Sequence, residues 1–127
     1  MSVVEANEAS VSLALGPLAG PVLGRVIAML AVRANLPVDR LNDAVLVADT
    51  IAANARSAVA DDRLVVDVAA EPASLVLRVG PLVQDGAQAL RDASEIPGTG
   101  NILERLSNRI DVESDGDGEY LVLAIAS

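Results

Sequence analysis

The sequence predicts an α/β (α+β) fold: a two-layer sandwich in which a mostly antiparallel mixed sheet is covered on one face by about three helices. Three observations predict it. Two consecutive segments, Leu18–Ala34 and Val38–Val59, repeat apolar residues at helical spacing. Two later pairs of short runs, Leu64–Val68 with Leu75–Val79 and Ile110–Glu113 with Tyr120–Ala126, are strand-like on either side of turn residues. The chain has 127 residues, enough for one domain with one core.

Taken in order, residues 1–10 are polar without periodicity and are expected to be flexible, so the domain is read as 11–127. Val11, Leu13 and Leu15 alternate with small residues up to Gly16-Pro17, as a short strand entering a turn does. In the first helix Val22, Val26, Met29 and Arg33 recur with Leu23, Ile27 and Leu30 beside them. Asn35 is a left-handed stop and Pro37 a first-turn residue, so the pair separates two helices. In the second helix Leu41, Val45, Ala48, Ala52, Ala55 and Val59 make the core line, while Asp43, Val47, Thr50 and Asn54 run beside it and are partly polar. A site would lie on that second line.

Asp61-Asp62 closes the helix, and the two following strands form a hairpin about Glu71-Pro72. Gly80-Pro81 ends it. A short helix is expected over Ala87–Ala93, and a further one is introduced by Gly98-Thr99-Gly100 and runs to about Asn108. Two strands joined by Ser114–Gly118 complete the chain. Asp111, Glu113, Asp115 and Gly116 approximate the start of a calcium loop, but the closing acid would fall on Val122 among strand-like residues, so the segment reads as a hairpin turn.

Composition narrows the function. Nine basic residues, all arginine, against 18 acidic ones give a net charge of −9, which repels phosphate backbones, and Tyr120 is the only aromatic residue on which a base could stack. Direct nucleic-acid binding is excluded on these grounds. With no cysteine and no histidine there is no disulfide, no thiolate or imidazole metal site and no His-dependent nucleophile. The longest apolar stretch, Val26–Val32, is far short of the roughly 20 residues a spanning helix needs. Glu5 and Glu8 stand where a secretory signal carries basic residues, and a cytoplasmic location is expected.

The order strand, helix, long helix with an Asn near its end, hairpin, loop, Gly-x-Gly, helix and hairpin resembles the histidine-kinase-like ATPase superfamily (the Bergerat fold), and within it the small bacterial anti-sigma-factor and serine-kinase branch. That branch carries a Glu-x-x-x-Asn box on its second helix, the Glu as general base and the Asn holding Mg²⁺ on the ATP phosphates. Asn54 matches the Asn, whereas the Glu position holds Thr50, and Asp49 lies about 100° around the helix. The branch's Asp-x-Gly-x-Gly, whose Asp accepts a hydrogen bond from adenine, should begin between Val79 and Pro81. Val79-Gly80-Pro81-Leu82 stands there instead, with Asp85-Gly86 a few residues later. The third motif, a Gly-x-Gly opening a helix beneath the triphosphate, is matched by Gly98-Thr99-Gly100, and Leu106–Val112 resembles the helix-to-strand passage that follows.

The resemblance implies a candidate nucleotide site of Asn54, Asp85, Gly86, Gly98, Thr99 and Gly100, with Asn54 as the Mg²⁺ ligand, and a cofactor of ATP or ADP with Mg²⁺ or none. It implies no catalytic residue, Thr50 standing at the base position beside Asp49. Other readings stand beside these: Asn54 as a helix-surface amide, the glycines as a plain helix entry, Asp85, Asp92 and Glu95 as a solvated loop, Arg105 and Arg109 as exposed helix charges. The function implied is an anti-sigma-factor-like protein that sequesters a sigma factor or its antagonist, most simply as a homodimer to which Val11–Leu30 contributes. The alternatives are an active ATP-dependent serine kinase and a non-catalytic dimerisation domain.

Overall fold

The computed structural model describes residues 7–127. Strand β1 spans Glu8–Ala14, helix α1 Ala19–Arg33 and helix α2 Val38–Asn54, followed by a 3₁₀ turn at Ala55–Ala58. Then come β2 (Arg63–Glu71), β3 (Ser74–Leu82), α3 (Gly86–Ala93), the two-residue strands β4 (Glu95–Ile96) and β5 (Gly100–Asn101), α4 (Ile102–Leu106), β6 (Arg109–Asp115) and β7 (Gly118–Ala126). Five strands form one sheet in the order β1-β2-β3-β7-β6, and β4-β5 form a separate ribbon. The architecture is α+β as expected, but every pair in the main sheet is antiparallel, so the expected parallel component is absent among the described residues. Hairpin connections and the return of β7 beside β3 make this possible, because antiparallel neighbours need no crossover helix between them.

One face of the sheet is core. Leu13, Leu64, Val66, Val68, Leu75, Leu77, Val79, Leu121, Leu123 and Ile125 alternate inward and are buried against Leu23, Ile27 and Leu30 of α1, Val47 and Ile51 of α2, Leu90 of α3 and Leu103 of α4. Each such side chain contributes roughly 1.5–3 kcal/mol by burial, a large share of the roughly 5–15 kcal/mol that a domain has in total. No described element covers the other face.

Several boundaries moved for identifiable reasons. Strand β1 begins at Glu8, inside the segment expected to be flexible, because Glu8, Ala9 and Ser10 pair with Ala69, Val68 and Asp67; residues 1–6 of that segment lie outside the described residues. Asn35 adopts φ 58° and ends α1, with the Leu36 amide donating to the Ala31 carbonyl (3.1 Å), so the left-handed stop is where the sequence puts it. Pro37 is the N-cap of α2, one residue earlier than a first-turn position. α2 stops at Asn54, short of the expected Val59, because the tighter 3₁₀ turn buries Ala55 and Ala58 and turns the Ala58 carbonyl toward the Val83 amide (2.9 Å). The β2–β3 turn is Pro72-Ala73, with Ala73 at φ 61°. The last hairpin closes tightly, pairing Asp115 with Gly118 rather than leaving 114–118 as a loop.

Candidate functional site

The core face of α2 is Ala44, Val47, Ala48 and Ile51, so Val47 of the expected polar line is buried and Leu41, Val45 and Ala52 of the expected core line are only partly so; of the polar line, Thr50 and Asn54 remain together. The Thr50 hydroxyl donates to the Leu46 carbonyl (2.8 Å), and Asn54 Nδ2 donates to the Thr50 carbonyl (2.8 Å). Both side chains thus lie back along their own helix, and the Thr50 proton is committed to the backbone. Asn54 keeps Oδ1 as an acceptor. Asp49 leans the other way, toward α1, where a Cβ on Gly20 would meet its Oδ1 at 3.3 Å. It does not replace a carboxylate at position 50.

Asp49, Thr50, Ala53 and Asn54 form one wall of a groove whose other wall is Ala93, Ser94 and Ile96 at the end of α3. The groove holds about 310 Å³, the low end of the roughly 300–1,000 Å³ of small-molecule sites. Ser94 is buried and its hydroxyl donates to the Leu90 carbonyl (2.8 Å), so it faces inward.

Asp85 and Gly86 do not join this groove. They begin α3, whereas Ala93 and Ser94 end it, and eight residues of helix separate the two by about 12 Å. Asp85 adopts φ 64°, and its amide donates to Glu119 Oε2 (2.8 Å) while the Ala87 amide donates to Oε1 (3.2 Å). One carboxylate from β7 therefore occupies the positive end of α3. Gly86 is there for packing: a Cβ would stand 2.9 Å from the Ala58 carbonyl oxygen and 3.0 Å from Leu82 Cβ.

Where the adenine-binding Asp was expected, the structure shows why none stands. Val79 is buried toward the helices, and Gly80 faces the opposite side of the sheet, where a Cβ would lie 2.5 Å from Tyr120 Cδ2 and 2.8 Å from the Glu119 carbonyl oxygen. No side chain fits at position 80 without moving that ring. Above the same ring lies Arg78, its Cζ 3.5 Å from the centroid, which also reaches Glu113 and Asp115 at 3.2 Å each. Burial opposes the Arg78 charge, but the two carboxylates outweigh it and hold its pKa above the ordinary value.

The Gly-x-Gly does not open a helix directly. Ile96-Pro97-Gly98-Thr99 is a turn at the tip of the β4–β5 ribbon, with Gly98 at φ 80° and the Thr99 amide donating to the Ile96 carbonyl (2.9 Å). Gly100, at φ 103°, precedes Asn101, which caps the five-residue α4: its Oδ1 accepts from the Glu104 amide (3.1 Å) and its Nδ2 donates to the Arg91 carbonyl. The Ile102 amide donates to the Ser94 carbonyl, and Arg105 donates to the Thr99 carbonyl. The amides of Thr99, Ile102 and Glu104 are thus bonded within the chain. Arg91 pairs with Glu104 (2.7 Å) across the same junction.

Tested residue by residue, the chain fits ATP poorly. Asn54 and Asp49 are the groups on this groove that could face Mg²⁺, Thr50 and Val79–Pro81 supply no carboxylate where the resemblance would need one, and the Thr99, Ile102 and Glu104 amides are bonded within the chain.

The Arg40 network had no signal in the sequence, and the exposed side of α1 was signalled only as part of the apolar Val11–Leu30 stretch, without its outward face. Arg40 donates from Nε to the Ala126 carbonyl (2.8 Å), from Nη1 to Asp43 (2.7 Å), and from Nη2 to the Leu106 carbonyl (3.2 Å) and Asn108 Oδ1 (2.6 Å). It ties α2 to the α4–β6 junction and the last strand. The second feature is a set of large apolar side chains left exposed along one side of α1: Leu18 at its N-cap, then Val22, Met29 and Val32, leave 73, 44, 58 and 64% of their surface in solvent, with the exposed Arg25 between Val22 and Met29. The helical repeat was legible, but which side of so apolar a helix would be left uncovered was not. No helix among the described residues is long and apolar enough to cross a membrane. No protein-family model matches the chain, and no curated protein matches it either.

Proposed function

We propose that this protein is an anti-sigma-factor-like regulator of the histidine-kinase-like type, acting in the cytoplasm by sequestering a sigma factor or its antagonist, with nucleotide binding weak or lost. The observation that carries the reading is this side of α1: Leu18, Val22, Met29 and Val32, exposed around Arg25, make a mixed apolar and basic surface of the kind a protein partner covers. The same face supports the homodimer reading, since a two-fold interface uses one surface patch on both copies. The internal bonding of the glycine loop and the packing of Tyr120 on Gly80 support loss of the nucleotide.

The alternative, an active serine kinase, draws on the groove beside Asn54. Two measurements separate them. Tagged full-length chain should co-purify with one stoichiometric partner, and Met29→Glu should abolish capture without altering the thermal melt, because a side chain 58% exposed contributes little to the core. Calorimetry of the same protein with Mg-ATP should show no binding heat; micromolar binding lost in Asn54→Ala would establish the kinase reading instead.

A further inference from the structure

We propose that β1 is a docking edge for an extended, basic segment of a protein partner, which adds a strand to the sheet and seats an arginine or lysine on Asp67. This surface does not depend on the function proposed above. The two edges of the sheet differ. β6 carries Arg109, Asp111, Glu113 and Asp115 at alternate exposed positions, the charge pattern that discourages strand pairing. β1, seven residues long, holds no Lys, Arg or Pro and a single charge, Glu8, at its first position.

Its backbone is presented for pairing. The Leu15 amide donates to the Asp62 carbonyl (2.8 Å) and the Ala70 amide to the Asn7 carbonyl (2.7 Å), and these bonds bracket the ladder with β2. Because bonded and non-bonded pairs alternate, Ala9, Val11 and Leu13 bond to β2, while Glu8, Ser10, Ser12 and Ala14 turn their N–H and C=O groups outward. Among the described residues no strand lies beyond them.

Charge selects the occupant. Asp67, half-buried on the uncovered face, stands opposite Ser10 on one side and Arg78 on the other, yet Arg78 is held by Glu113, Asp115 and the Tyr120 ring. Among the described residues neither Asp67 nor Glu8 is in an ion pair, the guanidinium opposite Asp67 being turned to Glu113 and Asp115. A groove of about 390 Å³ runs over both of them, past Ser10, Ala69, Val76 and Arg78. A strand added beyond β1 would lie two strand spacings, roughly 9.6 Å, from Asp67. The small Ser10 side chain leaves that path open to a long basic side chain. A second copy pairing through β1 brings no cation to Asp67 and joins two chains of net charge −9, so a foreign basic strand fits better.

The test uses the full chain and two end-capped, fluorescent peptides of about seven residues, alternating valine with arginine or valine with glutamate. Anisotropy should show binding of the arginine peptide, with the glutamate peptide and the Asp67→Asn variant each about tenfold weaker. Amide shifts should be confined to residues 8–14 and 65–69. Ser12→Pro removes an outward N–H and spares the ladder to β2, so it should abolish binding with the circular dichroism unchanged. Equal binding of the two peptides, full affinity in Asp67→Asn, or no binding at roughly 1 mM peptide overturns the proposal. So does sedimentation that turns from dimer to monomer in Ser12→Pro, which would assign the edge to a second copy.

Discussion

Gly80 of β3 and Tyr120 of β7 touch so closely that a Cβ at position 80 would stand 2.5 Å from the ring's Cδ2. The relationship leaves no room for a side chain at Gly80, the middle of the Val79–Pro81 stretch where the resemblance would put an adenine-binding acid. It also supports the stack above it, since the ring on Gly80 is the one that carries Arg78 on the uncovered face.

Gly80→Asp should therefore destabilise the fold by about 2 kcal/mol, the usual consequence of overpacking, without creating affinity for ADP. Urea unfolding and calorimetry on the variant measure the two effects. A stable Gly80→Asp protein that binds ADP would show that the ring yields and that an acid at this position is enough to create a nucleotide site.

Glu119 should behave as the cap of α3. Glu119→Ala leaves the amides of Asp85 and Ala87 without their acceptor, and about 1 kcal/mol of stability should go with it. Hydrogen exchange should accelerate at those two amides before it does elsewhere in α3; unchanged protection would mean that water or Asp85 itself substitutes for the carboxylate.

Arg40→Ala should be the most damaging polar substitution, at roughly 2–4 kcal/mol, because it leaves the Leu106 and Ala126 carbonyls, Asp43 and Asn108 without a shared donor. Arg40→Lys should recover under half of that loss, since an ammonium cannot reproduce the planar fork. Equal stability of the Lys variant and the parent would make the contact one of charge alone.

The acid limb of stability should contain a contribution from Asp115. The Asp117 amide, and after it Arg78, hold this carboxyl below the ordinary aspartate value of 3.8. A carboxylate with a depressed folded pKa stabilises fully above its unfolded value and loses that contribution as pH falls through the folded one. The difference in urea midpoint between the parent and Asp115→Asn should thus be constant from pH 7 to about 5 and shrink toward zero below 3.8. A difference independent of pH would assign the effect to the turn's hydrogen bonds and not to charge.

What the sequence determined by itself is the part of the molecule that depends on near neighbours. The existence of α1 and α2, the stop at Asn35 and the break at Gly16-Pro17 were legible, because a helix stripe or a turn is set by residues within a few positions of one another. The line from Thr50 to Asn54 was legible for the same reason, and both do face one groove. Gly80-Pro81, by contrast, does not end β3, which runs on to Leu82 because pairing with β2 and β7 overrides the local signal. Tertiary structure decided the rest. Glu119 caps a helix whose N-cap, Asp85, lies 34 residues earlier, and Arg40 bonds to a carbonyl 86 residues away; such pairs exist only once β7 has taken its place between β3 and β6. The same pairing chose the uncovered faces, since hydrophobic patterning states how much surface must be buried but not which neighbour arrives to bury it. For that reason the exposed side of α1, the open edge at β1 and the closure of Gly80 by Tyr120 belong to the assembled sheet.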